Sequence, residues 1–260
     1  MKIELSGKRA LVTGGNSGIG KAIALALGEA GAQVAVNYIT HPEAAEQLVS
    51  RIEEQGIQAL AVQADISDTN QVHRMFEQID SHWNGIDILV NNAGIDGGRS
   101  MSWEIDVDAW KKVLEVNLIG AFQCSRAALQ RMIPRKQGVI LNMTSVHEQI
   151  PWTGYSAYTA SKAGLSMLTR TLAQEAAPHN VRVVALAPGA VKTPINKEVW
   201  SDSQDRQDLL EKIPLGRIGE TEDIAGMAVV LVSEVAGYVT GTTVFVDGGM
   251  TDYPDFIHGG

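Results

Sequence analysis

Tyr158 and Lys162 stand four residues apart at the start of a helix-length run, 157–177, so their side chains share one helical face, a turn apart. That pairing can move protons. A free tyrosine titrates near pH ~10, about three units too high for exchange at neutral pH. A neighbouring ammonium stabilises the phenolate and brings the value down. Tyr155 is an internal control: four residues beyond it stands Thr159, so packing or a substrate contact is its expected role. Ser145 follows the apolar run 139–143, and its hydroxyl could donate to the same substrate oxygen as Tyr158. Each feature has a plainer reading, a lysine stem laid along a half-buried tyrosine or a serine capping a turn. Serine hydrolysis is set aside. No Gly-x-Ser-x-Gly elbow surrounds Ser145, and His147 is too near in sequence to be an obvious triad base.

A second cluster is the segment Thr13-Gly14-Gly15-Asn16-Ser17-Gly18-Ile19-Gly20, between an apolar run and a helical one. A pyrophosphate needs close backbone approach, which glycine permits, and free N–H donors, which a helix N-terminus offers. No Gly-Lys-Ser/Thr follows, so this is not a Walker loop. Dinucleotide binding is expected. The end of the next strand, Asn37-Tyr38-Ile39-Thr40-His41, carries neither the acid that reads a ribose 2′-hydroxyl nor the arginine that accommodates a 2′-phosphate. Neutral Asn37 could tolerate either, so NAD and NADP both stay open.

These residues need a scaffold that gathers strand ends. Apolar runs at 9–13, 33–38, 59–63, 86–91, 139–143, 181–187 and 243–246 alternate with helical segments at 19–30, 43–55, 68–83, 106–133, 157–177 and 221–232. Most runs are continuously apolar, as parallel strands covered on both faces are. Ser67 or Asp68, Asp106 and Thr221 are expected caps, and Gly31 and Gly56 expected stops. The pattern predicts an α/β fold: a single-domain, Rossmann-type, doubly wound, mainly parallel seven-stranded sheet with helices on both faces, over 1–260. The polar stretch 189–214 is expected to be a substrate loop or lid.

With 30 acidic and 21 basic residues, the net charge of −9 disfavours nucleic acid as a partner. The single cysteine, Cys124, lies in an apolar helical stretch and reads as a buried thiol. No membrane-length apolar run or signal segment is visible, and the six histidines show no paired ligand spacing, so a cytoplasmic protein without metal is expected.

Taken together, Thr13-Gly-x-x-x-Gly-x-Gly20, Asp65, Asn91-Asn92-Ala93-Gly94, Asn117, Ser145, Tyr158-x-x-x-Lys162 and Pro188-Gly189 resemble the classical short-chain dehydrogenase/reductase family across nearly the whole chain. The resemblance implies NAD(P)-dependent interconversion of an alcohol and a carbonyl, with Asn117, Ser145, Tyr158 and Lys162 catalytic. By it, Asn117 distorts its helix and supports a water-mediated relay from Lys162. It implies cofactor contacts from Gly14, Asn16, Ser17, Gly18, Ile19, Gly20, Asn37, Tyr38, Asp65, Ile66, Asn92, Ala93, Gly94, Tyr158, Lys162, Pro188, Gly189, Val191 and Thr193.

Within the family, the second half is most similar to bacterial glucose 1-dehydrogenases, through Ser145-Val-His147-Glu148-x-Ile-Pro151-Trp152, Pro188-Gly-Ala-x-x-Thr-Pro-Ile-Asn196 and Val246-Asp-Gly-Gly-Met-Thr-x-Tyr-Pro254. That implies glucose oxidised at C1, with Asp96, Ser145, His147 and Tyr158 on the substrate. Asp96, where that pattern prefers glutamate, and Ile39, where it has arginine, are departures. A 3-oxoacyl-thioester reductase or another ketone reductase is the alternative, and a non-catalytic nucleotide sensor a further one. The family implies a homotetramer, here expected through the apolar segment 224–232 and the tail 248–260, with Tyr253, Pro254 and Phe256.

Overall fold

Every one of the seven apolar runs becomes a strand: β1 (Arg9–Val12), β2 (Gln33–Tyr38), β3 (Ala59–Gln63), β4 (Ile88–Asn91), β5 (Gly138–Met143), β6 (Val181–Pro188) and β7 (Thr243–Val246). The computed structural model describes residues 3–194 and 203–252. Among these the strands form one sheet in the order β3-β2-β1-β4-β5-β6-β7. All six pairings are parallel, as fully covered strands should be. The chain winds outward from β1 to β3 and then returns to β4 on the other side of β1. That reversal opens a crevice at the carboxyl ends of the strands.

The helices are α1 (Gly18–Glu29), α2 (Pro42–Glu53), α3 (Thr69–Trp83), α4 (Val107–Leu114), α5 (Ala121–Arg135), α6 (Ser156–Ala176), α7 (Ser203–Leu210) and α8 (Thr221–Val232). Alternate strand residues feed two cores. Val12, Val36, Val90 and Leu141 pack with Ile23 and Leu27 of α1, Leu48 of α2 and Ile224 of α8. Leu11, Ala35, Leu89 and Ile140 pack with Phe76 of α3, Met132 of α5 and Leu172 of α6. Cys124 is fully buried in this second core, its thiol pushed up to about 12 by desolvation.

Asp68 and Asp106 cap α3 and α4 as expected, and Gly31 and Gly56 take positive φ beyond α1 and α2. Four expectations are revised. The run 106–133 is not one helix: α4 and α5 are separated by a wide π-helical turn, Glu115–Gly120. The N-cap of α8 is Glu220 rather than Thr221, its backbone N–H donating to Asp223 Oδ2 at 2.8 Å. The stretch 189–214 contains α7, while Asn196 in it lies outside the described residues. Finally, 224–232 is not given over wholly to a subunit contact: Ile224, Ala225, Ala228, Val229, Leu231 and Val232 are buried within the chain's own core, while Gly226 is exposed and Met227 and Val230 are half-buried. Tyr253, Pro254 and Phe256 lie outside the described residues. No helix among the described residues is long and apolar enough to cross a membrane.

At the amino edge of the sheet, Asp87 is almost fully buried between two arginines. Arg9 grips it through Nε and Nη2, at 2.7 and 2.8 Å, and Arg135 Nη1 donates at 2.9 Å.

Candidate active site

The loops leaving the carboxyl ends of β1, β4, β5 and β6 bring the predicted residues to one crevice. After β1 the glycine turn is shaped by contacts that a side chain would break. A Cβ on Gly20 would meet the Gly14 carbonyl oxygen at 2.3 Å and Asn92 Nδ2 at 2.4 Å. Gly14 and Gly18 take φ of +57° and +50°, a region that favours glycine. Ser17 caps α1 without a side-chain bond, and no acidic residue stands in the first turn. The N–H groups of that turn therefore keep their capacity for an anion. Ile19 packs on the first core.

Several of the residues expected at the cofactor also brace the fold. Asn37 is buried and its amide is spent: Nδ2 donates to the carbonyls of Val62 and Ala64, and Oδ1 accepts from Gly14 N–H at 3.3 Å. Asn16 Nδ2 donates to the Thr40 carbonyl at 2.8 Å, latching the glycine turn to the loop after β2. Asn92 Nδ2 donates to the carbonyls of Thr13 and Gly14, both at 3.0 Å. Buried Thr13 completes this brace, its Oγ1 accepting from Asn92 and Ala93 N–H; as a strand-end threonine it carried no separate signal. Tyr38 is half-buried on the first core. The side chains of Ile66 and Val191 are buried in the cores.

Asp65 accepts from Ser67 N–H and Oγ–H, with Lys112 at 3.8 Å. Burial tends to raise this carboxyl, but the Ser67 bonds and Lys112 outweigh it and hold the group below its ordinary value. Pro188 ends β6 in register with Val246. Gly189 packs so closely that a Cβ would stand 2.7 Å from the Asp247 Cα, while Thr193 approaches Gly18.

Tyr158 and Lys162 meet Ser145 at the end of β5. Burial raises the partly buried Tyr158 hydroxyl above its ordinary value; a hydrogen bond with Ser145 works against this, and the field of Asp96 adds to it. The Lys162 ammonium lies 5.5 Å from the Tyr158 ring centroid and donates to the Met143 carbonyl at 2.8 Å. Only 5% exposed, the ammonium is itself lowered by desolvation to about 8, against the opposing field of Glu148. Asn117 sits in the wide turn between α4 and α5, which accounts for a poor helix former inside a long helical run. Its side chain exchanges both bonds with the Ile95 backbone at 2.8 Å and donates to Ser161 Oγ at 3.0 Å. It therefore ties the loop after β4 to α6.

On the substrate side, three rings stack. Trp152 lies 3.8 Å from Tyr155 and 4.4 Å from His147, nearly parallel to both, and presents its edge to Tyr158 at 5.9 Å. His147 Nδ1 faces the Ile150 carbonyl at 3.0 Å, an acceptor only, so Nδ1 carries the proton and Nε2 is left to accept. Desolvation lowers this imidazole further, against that hydrogen bond. Asp96, whose Oδ1 accepts from Gly98 N–H, bears electrostatically on both Tyr155 and Tyr158. The aromatic wall was not identified from sequence; four rings within residues 147–158 were the available signal.

The family model described as Enoyl-(Acyl carrier protein) reductase matches residues 14–251. The chain is 47% identical over 257 residues to 3beta-hydroxysteroid dehydrogenase 1 of Eggerthella lenta, covering 98% of each. It is 41% identical over 252 residues to Glucose 1-dehydrogenase 2 of Bacillus subtilis, covering 96% of this chain and 97% of that one. The chain belongs to the short-chain dehydrogenase/reductase family. Among solved structures, a gluconate 5-dehydrogenase from Burkholderia cenocepacia, in complex with NADP and tartrate, superposes with a TM-score of 0.91 at 34% identity. The match covers 96% of this chain and 98% of that one.

As a member of this family the chain is an oxidoreductase whose cofactor is NAD or NADP. Its own residues fit that group. The uncapped first turn of α1 suits the phosphates, and Gly94 keeps the space beside Lys162 open, since a Cβ there would stand 3.7 Å from Nζ and 3.2 Å from Asn117 Oδ1. Without an acid or a cation after β2, the neighbourhood of the adenosine ribose does not decide between the two dinucleotides.

Proposed function

We propose that this enzyme oxidises a secondary alcohol carried on a saturated ring, or reduces the matching ketone. The observation that carries the reading is the stack of Tyr155, Trp152 and His147 ending against Tyr158. Such a wall accepts the C–H face of a rigid ring and leaves the ring's hydroxyl beside the tyrosine. Ser145 and Tyr158 orient the substrate oxygen. Tyr158 accepts the hydroxyl proton during oxidation and returns it during reduction. Bound nicotinamide supplies or accepts the hydride. Lys162 would hold the nicotinamide ribose and favour the phenolate form of Tyr158, and Asn117 keeps the loop after β4 fixed to α6. The 47% identity to a 3β-hydroxysteroid dehydrogenase favours an apolar ring such as that of a 3β-hydroxysteroid.

Glucose oxidised at C1 is the second reading. It is favoured by Asp96, a carboxylate beside Tyr155 and Tyr158 that suits sugar hydroxyls, and by the acceptor Nε2 of His147. The test is reduced-nicotinamide absorbance with a 3β-hydroxysteroid, D-glucose and D-gluconate, each with NAD and with NADP. Turnover of a ring alcohol that vanishes in Tyr158→Phe supports the proposal. Undiminished turnover in that variant refutes the mechanism, and activity confined to open-chain acyl thioesters refutes the substrate class. A tetramer and a cytoplasmic location are proposed with it on the family resemblance alone; sedimentation velocity reads the first and cell fractionation the second.

A further inference from the structure

Glu148 takes no part in the chemistry above, yet its carboxylate joins three elements that build the centre. It belongs to the short 3-10 turn Val146–Glu148 that follows Ser145. Its Oε1 accepts from Ser166 Oγ on α6 at 2.9 Å, and its Oε2 from Thr243 Oγ1 at the start of β7 at 3.4 Å. Ser166 is four residues beyond Lys162 and on the same helical face. The clamp therefore fixes a negative charge one helical turn behind the ammonium.

Lys162 needs such a partner. It is buried, and the neighbours packed round it are otherwise weak compensation for its charge. From α6 it meets the Tyr158 ring, from β5 the Met143 carbonyl, and beyond β4 it stands beside Gly94 and the fully engaged amide of Asn117. His147, on the same turn as Glu148, is biased to its neutral form by burial, and the field of Asp96 falls on Tyr155 and Tyr158. Among the described residues, Glu148 is the charged group whose field opposes the desolvation of Lys162.

We propose that Glu148 is a positioning residue of this centre: through its clamp on Ser166 and Thr243 it supplies the counter-charge that keeps the buried Lys162 ammonium protonated and in place. The proposal rests on the reading of Tyr158 and Lys162 given above. Losing the carboxylate would release the Lys162 proton at lower pH, and a neutral amine cannot stabilise a phenolate.

The decisive variant is Glu148→Gln, which removes the charge while keeping one acceptor oxygen and placing an amide N–H, which a hydroxyl oxygen can accept, where the other oxygen stood. The full-length protein is labelled with trace acetic anhydride across neutral and alkaline pH, and the Lys162 peptide is quantified by mass spectrometry. The labelling midpoint should fall by about one pH unit, equivalent to about tenfold more neutral amine at neutral pH. The alkaline limb of the kcat profile should move with it. Ser166→Ala, which keeps the charge but loosens it, should move the midpoint the same way by less, and it serves if Glu148→Gln does not fold. An unchanged Lys162 midpoint in the folded variants overturns the proposal. Turnover surviving Tyr158→Phe would instead overturn the catalytic reading, leaving the labelling midpoint to judge Glu148 on its own.

Discussion

Replacing Lys162 by methionine removes an ammonium that burial holds at about 8, below its ordinary 10.5, while keeping a linear side chain of similar length. At 1.36 kcal/mol per pH unit, that fall corresponds to about 3 kcal/mol by which the charge destabilises the folded state. The attraction of Glu148 is already included. Against it stands the hydrogen bond to the Met143 carbonyl, whose loss costs about 1 kcal/mol. The variant should therefore be more stable by about 2 kcal/mol at neutral pH, a rise of about 4 °C in Tm for a chain of this size. Its turnover should fall by a factor of about 10² or more.

The pH dependence supplies the stricter check. Because the folded value lies below the unfolded one, the unfolded chain binds the extra proton between them, and wild-type stability climbs with pH through that window. The full gain from methionine is present below about 8 and disappears above 10.5. Chemical denaturation of both proteins at neutral pH and at the alkaline end reads the two free energies. A methionine variant less stable than wild type at neutral pH, or a gap that does not close as pH rises, would refute the reasoning.

Trp152→Ala should raise KM for the ring substrate about tenfold or more with a smaller change in kcat, since the loss of one stacked face weakens ground-state and transition-state binding alike; steady-state kinetics separates the two. Gly20→Ala places a Cβ 2.3 Å from the Gly14 carbonyl oxygen, so calorimetric titration should show nucleotide affinity reduced by about tenfold or more. In Asp87→Asn two partly exposed guanidinium groups lose the buried carboxylate that bonds them, and denaturation should report a loss of about 1.5–3 kcal/mol. Burial raises the Asp87 carboxyl, but the hydrogen bonds and charges of Arg9 and Arg135 outweigh this and leave it lowered. Its contribution is thus present above the ordinary carboxylate range and lost as pH falls through the lower folded value. The deficit of Asp87→Asn should accordingly shrink in acid, which urea titrations at two pH values would reveal.

The architecture was legible because both of its causes are local. Uninterrupted branched residues mark strands covered on both faces, and the spacing of the helical runs between them leaves parallel crossovers as the connection. The observed strands Gln33–Tyr38, Ala59–Gln63 and Thr243–Val246 coincide with the apolar runs to the residue. The glycine turn and the Tyr158, Lys162 pair were legible for the same kind of reason: a missing Cβ and a spacing of four have meaning before the chain folds. What a polar side chain bonds to is not local. Asn37, Asn16 and Asn92 looked like groups offered to a ligand, and the fold spends all three on carbonyls up to 79 residues away.

Apolar pattern likewise reports that a segment is buried, not against what. The segment 224–232 has the composition of a subunit contact, yet most of its apolar residues pack within the chain, against α1 and the sheet. The break at Glu115–Gly120 escaped the helical pattern because a π turn shifts the register by one residue without changing the kinds of residue used. Sequence alone therefore determined which residues could do chemistry and which strand ends would carry them. Tertiary structure alone decided the charge state of the lysine and the shape of the substrate wall. Desolvation depends on every atom packed round Lys162, and the rings of His147, Trp152 and Tyr155 share a stack only because the turn after β5 folds back against the start of α6.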